Sequence, residues 1–179
     1  MDLSTTYLGL PLSHPFMTGS SPMADRPSWF NPPRSRAARI SLARHSHVIL
    51  PHRYPLLLVD RVVELEPGQE IIALKRVSAG EEFVGRGGSP GSFSFSLIAE
   101  AMAQAASIVA ASAAQEEAPP SGIYAAIKRM RIFREPRAGE ELWLRMRLLH
   151  QFGRLFEFRG EAKIGGELVG EGELIFRLS

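Results

Sequence analysis

Residues 93–116 read FSFSLIAEAMAQAASIVAASAAQE and contain neither proline nor glycine. Alanine, the strongest helix former, is their commonest residue, and Pro119 and Pro120 follow as helix stops. The stretch therefore predicts one long helix. Because nearly every residue in 97–114 is apolar or small, a surrounding sheet could bury this helix almost completely.

Strand patterns flank the predicted helix on both sides. Before it, residues 56–65 are dense in Leu and Val, Pro67-Gly68 marks a turn, and residues 70–77 follow as a hairpin partner. After it, four more strands are predicted at 123–133, 141–152, 155–164 and 168–178. This order predicts an α+β hotdog fold, in which an antiparallel sheet wraps around one long central helix.

Length and composition fit one ordinary globular domain with a tail. The chain has 179 residues, of which 45% are hydrophobic and 22% charged, and residues 46–179 are predicted to form the domain. The absence of cysteine excludes disulfides, Cys-ligated metals and thiol nucleophiles. Residues 56–179 hold fifteen Lys/Arg against seventeen acidic residues, so no basic footprint for nucleic acid is expected.

Residues 1–45 are predicted to be a disordered leader, because they are rich in Arg, Pro and Ser and poor in acidic residues. A transit peptide is the alternative interpretation of this leader. No secretory signal is recognisable, and we expect a cytoplasmic location. Residues 1–25 resemble the beginning of the dihydroorotate dehydrogenase barrels. The rest of that barrel does not follow, so we interpret them as a fusion remnant or a misplaced start.

Polar side chains form one stripe on the predicted helix. Ser96, Glu100, Gln104 and Ser107 fall within roughly 80° of arc at about 100° per residue. A carboxylate in apolar surroundings needs a partner, solvent or neutralisation. One possibility is that the stripe faces solvent, or that Gln104 and a backbone amide satisfy the carboxylate of Glu100. The other is that Glu100 lines a tunnel and binds a polar substrate group. Glu100 and Gln104 lie in the middle of the helix and also argue against a membrane span.

Several segments resemble the 3-hydroxyacyl-acyl-carrier-protein dehydratases, in the same order. The clearest are ILPHRYPLLLVDRVV at 49–63, LIAEAMAQAASIVA at 97–110 and IKRMRIFREPRAGEEL at 127–142. The resemblance implies a hotdog fold and activity on acyl thioesters in fatty-acid-type biosynthesis. It implies no cofactor beyond the phosphopantetheine that the substrate carries.

The same resemblance implies a site at Glu100, which matches the helix glutamate of the family. The family's catalytic loop histidine is replaced by Arg86, within VGRGGSPGSFSF at 84–95. Arginine stays protonated and cannot act as a base, but it can stabilise an enolate-like oxygen or a phosphate. We therefore predict Glu100 as the main acid/base and Arg86 as an electrostatic helper. The predicted substrate-binding residues are Gly85, Gln104, Phe93, Phe95 and Tyr54.

No histidine fills the vacant position by its place in the sequence. His14, His45 and His47 lie in or beside the leader, His150 lies in a late strand, and His52 belongs to the opening motif. Geometry decides whether a candidate base can reach its substrate. Whether His52 could serve therefore depends on its position in space.

Three functions remain open at this point: a dehydratase acting on acyl-carrier-protein or CoA thioesters, a non-catalytic acyl-binding or scaffold subunit, and a hotdog thioesterase. The resemblance implies a homodimer, or a trimer of such dimers, with each site completed by both chains. Edge pairing would also cover exposed strands. Four arginines are predicted to bind the acidic carrier, unless they form an ordinary solvated face: Arg129, Arg131, Arg134 and Arg137.

Overall fold

The structure, a computed structural model, describes residues 5–7, 10–12, 50, 52–86, 89–113 and 122–178. The chain divides into two compact units, Met1–Pro32 and Pro33–Ser179. In the first unit, strands β1 (Thr5–Tyr7) and β2 (Leu10–Leu12) pair antiparallel. The other residues of the predicted leader lie outside the described residues, so its disorder stays a prediction.

The described residues of the second unit form one six-stranded antiparallel sheet and one helix. The sheet order is β3-β4-β6-β7-β8-β5. The elements are β3 (Arg61–Glu66), β4 (Glu70–Arg76), α1 (Phe95–Ala113), β5 (Gly122–Ile132), β6 (Glu141–Phe152), β7 (Leu155–Ile164) and β8 (Glu167–Leu178). This is the predicted arrangement of two strands, a long helix and four strands, and the hotdog prediction is confirmed.

The predicted strand at 56–65 is wrong in its first half, because β3 begins only at Arg61. The bonding to β4 reaches back only to Asp60, whose N–H donates to the carbonyl of Leu74 at 3.0 Å, and a side chain of α1 binds the backbone before it. The N–H groups of Leu58 and Val59 donate to Oε1 of Gln104, at 2.9 and 3.4 Å. The apolar run therefore packs against the helix as an extended segment.

Helix α1 packs against the sheet through small and apolar side chains. Ile98, Met102 and Val109 are fully buried. Each such side chain stabilises the fold by ~1.5–3 kcal/mol. By length and composition alone the window Phe95–Ser112 could cross a bilayer, but most of it is buried inside the protein. On the sheet side, Gly160 leaves room for Met102, because a Cβ there would overlap the end of that side chain.

A buried cation fixes the start of the loop between β4 and α1. Lys75 is 2% exposed, and its Nζ lies 2.6 Å from Oε1 of Glu81 and 3.6 Å from Oδ1 of Asp60. A buried ammonium requires such partners, because its desolvation is otherwise unfavourable. The ion pair with Glu81 thus holds the loop beside the end of β4.

Candidate active site around Glu100

Glu100 lies near the N-terminal end of α1, where the helix passes from solvent into the core. Ser96, one turn earlier, is exposed, whereas Gln104, one turn later, is 1% exposed. The side chain of Glu100 is 38% exposed. The polar stripe predicted from the sequence therefore runs from the surface into the core, and Glu100 is at the boundary, where a ligand can reach it.

Gln104 connects Glu100 to the segment before β3. Its Nε2 donates to Oε1 of Glu100 at 2.9 Å and to the carbonyl of Leu56 at 2.7 Å. Its Oε1 accepts the backbone N–H groups of Leu58 and Val59. All four contacts use the side-chain amide, so Gln104 fixes the orientation of the Glu100 carboxylate. Its predicted role as a substrate-binding residue stays a prediction.

His52 lies beside Glu100, which its position in the sequence did not predict. Its Nε2 is 3.7 Å from Oε1 of Glu100, and its side chain is 34% exposed. Its Nδ1 is buried and has no hydrogen-bond partner among the described residues. The neighbouring Arg53 donates from its guanidinium to the carbonyls of Leu50 and His52, both at 2.8 Å. These contacts fix the backbone that carries the imidazole.

Arg86 is exposed in the loop between β4 and α1. Its N–H donates to the carbonyl of Phe83 at 3.1 Å, and no side-chain partner is found for it in the described part of the chain. Gly85 has a φ of 82°, and a Cβ there would lie 2.9 Å from the backbone nitrogen of Gly91. Glycine is therefore required at this turn. Within one chain, no described contact joins Arg86 to Glu100.

The aromatic residues predicted to bind substrate differ in exposure. Phe93 is 0% exposed and packs in the core, with Nζ of Lys75 5.9 Å from its ring centroid. It is therefore not open to a ligand in this chain. Phe95 and Tyr54 are exposed, and their roles stay predictions.

Glu135, which the sequence analysis did not single out, joins the loop to the beginning of α1. Its carboxylate accepts hydrogen bonds from Ser92 Oγ at 2.5 Å, from the N–H of Ser89 at 3.2 Å and from the N–H of Phe95 at 3.3 Å. The hydroxyl of Ser92 is the main reason why the pKa of Glu135 lies below its ordinary value. A carboxylate that accepts from the first turn of a helix also complements the helix dipole.

The four arginines predicted to bind a carrier lie among acidic residues. Nη2 of Arg129 is 3.7 Å from Oε1 of Glu173, and Nη1 of Arg131 is 3.9 Å from Oε1 of Glu171. Arg134 forms two hydrogen bonds with the carboxylate of Glu140, at 2.9 and 3.0 Å. The bonds from Arg134 lower the pKa of Glu140.

Arg137 differs from the other three arginines. It is exposed, and its guanidinium has no side-chain hydrogen bond or ion pair in the described ranges. Together with Arg134 it lines a cleft of about 520 Å³, whose other lining residues are Ser89, Ser92, Glu135 and Glu140. The tunnel predicted beside Glu100 stays a prediction, because this cleft does not include Glu100.

No group of three or more His, Asp or Glu side chains among the described residues is arranged to hold a metal ion. The side chains that the structure describes at this point are the carboxylate of Glu100, the imidazole of His52 and the amide of Gln104. A carboxylate and an imidazole together can exchange protons with a bound substrate.

The match to a known protein family covers the whole second unit except its beginning and end. The model of the ApeP-like family, described as ApeP dehydratase, matches residues 45–176. That range gives no support to the resemblance of residues 1–25 to dihydroorotate dehydrogenases.

Relatives and solved structures agree with the family match. The 3-hydroxyacyl-[acyl-carrier-protein] dehydratase FabZ of Syntrophotalea carbinolica is 41% identical over 70% of this chain and 86% of its own length. FabZ of Ruminiclostridium cellulolyticum is 37% identical over 73% of this chain and 92% of its own. A chain of the dehydratase heterocomplex ApeI:P from Xenorhabdus doucetiae shares the fold, with a TM-score of 0.65, 24% identity and coverage of 76% and 91%. This chain belongs to the FabZ-like family of 3-hydroxyacyl-[acyl-carrier-protein] dehydratases.

Proposed function

We propose that this chain dehydrates 3-hydroxyacyl thioesters delivered by an acyl carrier protein, and that Glu100 carries out the proton transfer. One observation supports this most directly. Glu100 is a partly exposed carboxylate at the edge of a buried helix, and the amide of Gln104 fixes its orientation. A preorganised acid at the boundary of an apolar core suits proton transfer to or from a bound acyl chain.

Dehydration requires the loss of a proton next to the thioester carbonyl and the loss of the hydroxyl from the following carbon. The carboxylate of Glu100 takes the first proton, because a guanidinium cannot accept one. Arg86 acts as a fixed positive charge near the carbonyl oxygen, where negative charge develops. This role requires no resident cofactor, since the substrate carries its own phosphopantetheine.

Purified full-length protein incubated with a 3-hydroxyacyl thioester tests the proposal. We expect loss of water and formation of the 2-enoyl thioester, detected by mass spectrometry. Glu100→Gln should lower the rate by about 10²-fold or more, because general acid–base catalysis contributes ~10²–10⁴-fold. Glu66→Gln on β3 is the matched control and should keep the wild-type rate.

The other outcomes identify the other candidate functions. Release of free thiol would instead indicate a thioesterase. Binding of the thioester without any turnover would indicate a non-catalytic acyl-binding subunit. In that case, activity that appears only in Arg86→His would show that the exchange of the loop histidine removed turnover.

The proposed binding of an acyl carrier protein to the four arginines is tested at Arg137. Its guanidinium is the one of the four that has no side-chain hydrogen bond or ion pair in the described ranges. Arg137→Glu should weaken binding of the acyl carrier protein by roughly threefold or more, because an exposed ion pair contributes ~0.2–1 kcal/mol and reversal adds repulsion. Arg177→Glu, an exposed charge change on β8, is the control. Equal affinities of both variants and the wild type would remove the carrier site from this surface.

A second copy of the chain is the proposed partner subunit, as a dimer or a trimer of dimers. The sheet has two edges, β3 and β5, and pairing would satisfy the open backbone groups of an edge. The matched chain from Xenorhabdus doucetiae comes from a heterocomplex, so a different dehydratase chain is the alternative partner. Light scattering should give at least twice the chain mass of 19.7 kDa, and a monomer would contradict the homodimer.

A further inference from the structure

His52 and Glu100 are close in space, although they are far apart in the sequence. The distance from Nε2 of His52 to Oε1 of Glu100 is 3.7 Å, and both side chains are about one-third exposed. Resting on the proposed dehydration, we propose that these two residues form an acid–base pair within one chain, in which His52 supplies the proton that the leaving hydroxyl needs. Arg86 cannot take over the role of the family's loop histidine. In this proposal, His52 provides the imidazole from the segment before β3.

Both members of the pair are held in place by the surrounding protein. Gln104 binds Glu100 with one hydrogen of its amide and Leu56 with the other. The turn after His52 is closed by the N–H groups of Leu56 and Leu57, which donate to the carbonyl of Arg53 at 2.8 and 3.1 Å. The same amide therefore positions the carboxylate and the segment that carries the imidazole. A separation of 3.7 Å is longer than a hydrogen bond, and such catalytic contacts commonly shorten when substrate binds.

The proton transfers balance over one cycle. The carboxylate of Glu100 takes a proton from the carbon next to the thioester carbonyl, and that C–H bond breaks. The electron pair forms the new C=C bond, and the C–O bond of the neighbouring hydroxyl breaks. The imidazolium of His52 donates its Nε2 proton to the leaving hydroxyl, which departs as water. The proton on Glu100 then passes to Nε2 of His52, which restores the starting state.

Other described groups are less suited to this proton transfer. Arg86 remains protonated at working pH. His150 lies on the exposed end of β6, with its ring centroid 6.1 Å from that of Phe152. Arg53, the next residue in the sequence, donates from its guanidinium to two backbone carbonyls. Nε2 is the nitrogen of His52 that lies 3.7 Å from Oε1 of Glu100.

The first test measures turnover in the full-length protein. We expect His52→Gln to reduce kcat by about 10²-fold and to leave KM close to its wild-type value, because the proton donor acts on the leaving hydroxyl. His150→Gln should behave like the wild type. If the wild type turns over and His52→Gln keeps its kcat, the pair is refuted while the proposed function stands. If the wild type releases no water, the proposed function itself fails.

The second test does not need turnover and applies even if His52→Gln does not fold. The NMR signals of the His52 ring are compared between the wild type and Glu100→Gln at one pH. Because Nε2 of His52 lies 3.7 Å from Oε1 of Glu100, these signals should shift when the carboxylate is replaced. The ring signals of His150 should stay the same in both proteins. Unchanged signals of His52 would show that the two side chains do not interact, and would overturn the proposal.

Discussion

Replacing Gln104 by methionine should destabilise the protein strongly, although glutamine and methionine have similar length and helix propensity. Gln104 is almost fully buried, and its amide makes four hydrogen bonds. Methionine fills the same space but can neither donate nor accept as the amide does. The substitution therefore tests the hydrogen bonds with little change in packing.

The magnitude follows from the groups that lose their partner. Leu58 is buried, and its N–H would lose a bond of 2.9 Å, which costs ~1–3 kcal/mol. The bond from Val59 is longer, at 3.4 Å, and contributes less. The carbonyl of Leu56 and the carboxylate of Glu100 lie near solvent, so water can replace part of what they lose. Together these terms predict a loss of roughly 2–4 kcal/mol in the free energy of unfolding.

Denaturant unfolding followed by circular dichroism measures this loss. Gln151→Met is the matched control, because Gln151 is exposed on β6, and its change should stay within about 0.5 kcal/mol. A loss of less than about 1 kcal/mol in Gln104→Met would refute the reasoning, because an unsatisfied buried N–H alone should cost as much.

Two further predictions concern packing and pH. Gly160→Ala should cost ~1–3 kcal/mol in unfolding free energy, because the added Cβ meets the buried ends of Met102 and Met146. Gly80→Ala in an exposed turn is the control and should be near neutral. Equal melting temperatures of the two variants would contradict this prediction. The pKa of Glu135 is lowered by its hydrogen bonds, so its contribution to stability is present above pH 4.5 and is lost as the pH falls through the lowered pKa. Glu135→Gln should therefore lower the melting temperature above pH 4.5 and flatten its decline at acid pH, and parallel curves for variant and wild type would exclude this role.

The strands and the helix were predictable because their signals are local. The alanine-rich stretch at 93–116 contains α1, and the predicted strands at 141–152 and 155–164 coincide with β6 and β7. Turn residues such as Gly153 and Gly165, both with φ of 57°, mark the ends of these strands. Propensity and periodicity act over a few residues, so they can be read from neighbouring positions.

The beginning of β3 was not predictable in the same way. Residues 56–59 have the apolar pattern of a buried strand, but the side chain of Gln104 binds the backbone of Leu56 and Leu58. Phe93 likewise fits either a binding surface or a core, and only packing placed it in the core. An apolar residue type predicts that a side chain is buried, but it does not identify the residues that the side chain contacts.

The sequence by itself determined the order of the elements, the stripe of polar residues on the helix and the arginine at position 86, because each of these depends on residue type and nearby spacing. Only the tertiary structure brought His52 to Glu100 and made Glu135 the contact between the loop and α1. Such contacts join residues that are distant in the chain. They form because the sheet must close around the helix to bury apolar surface, and that closure determines which polar side chains meet at its edge.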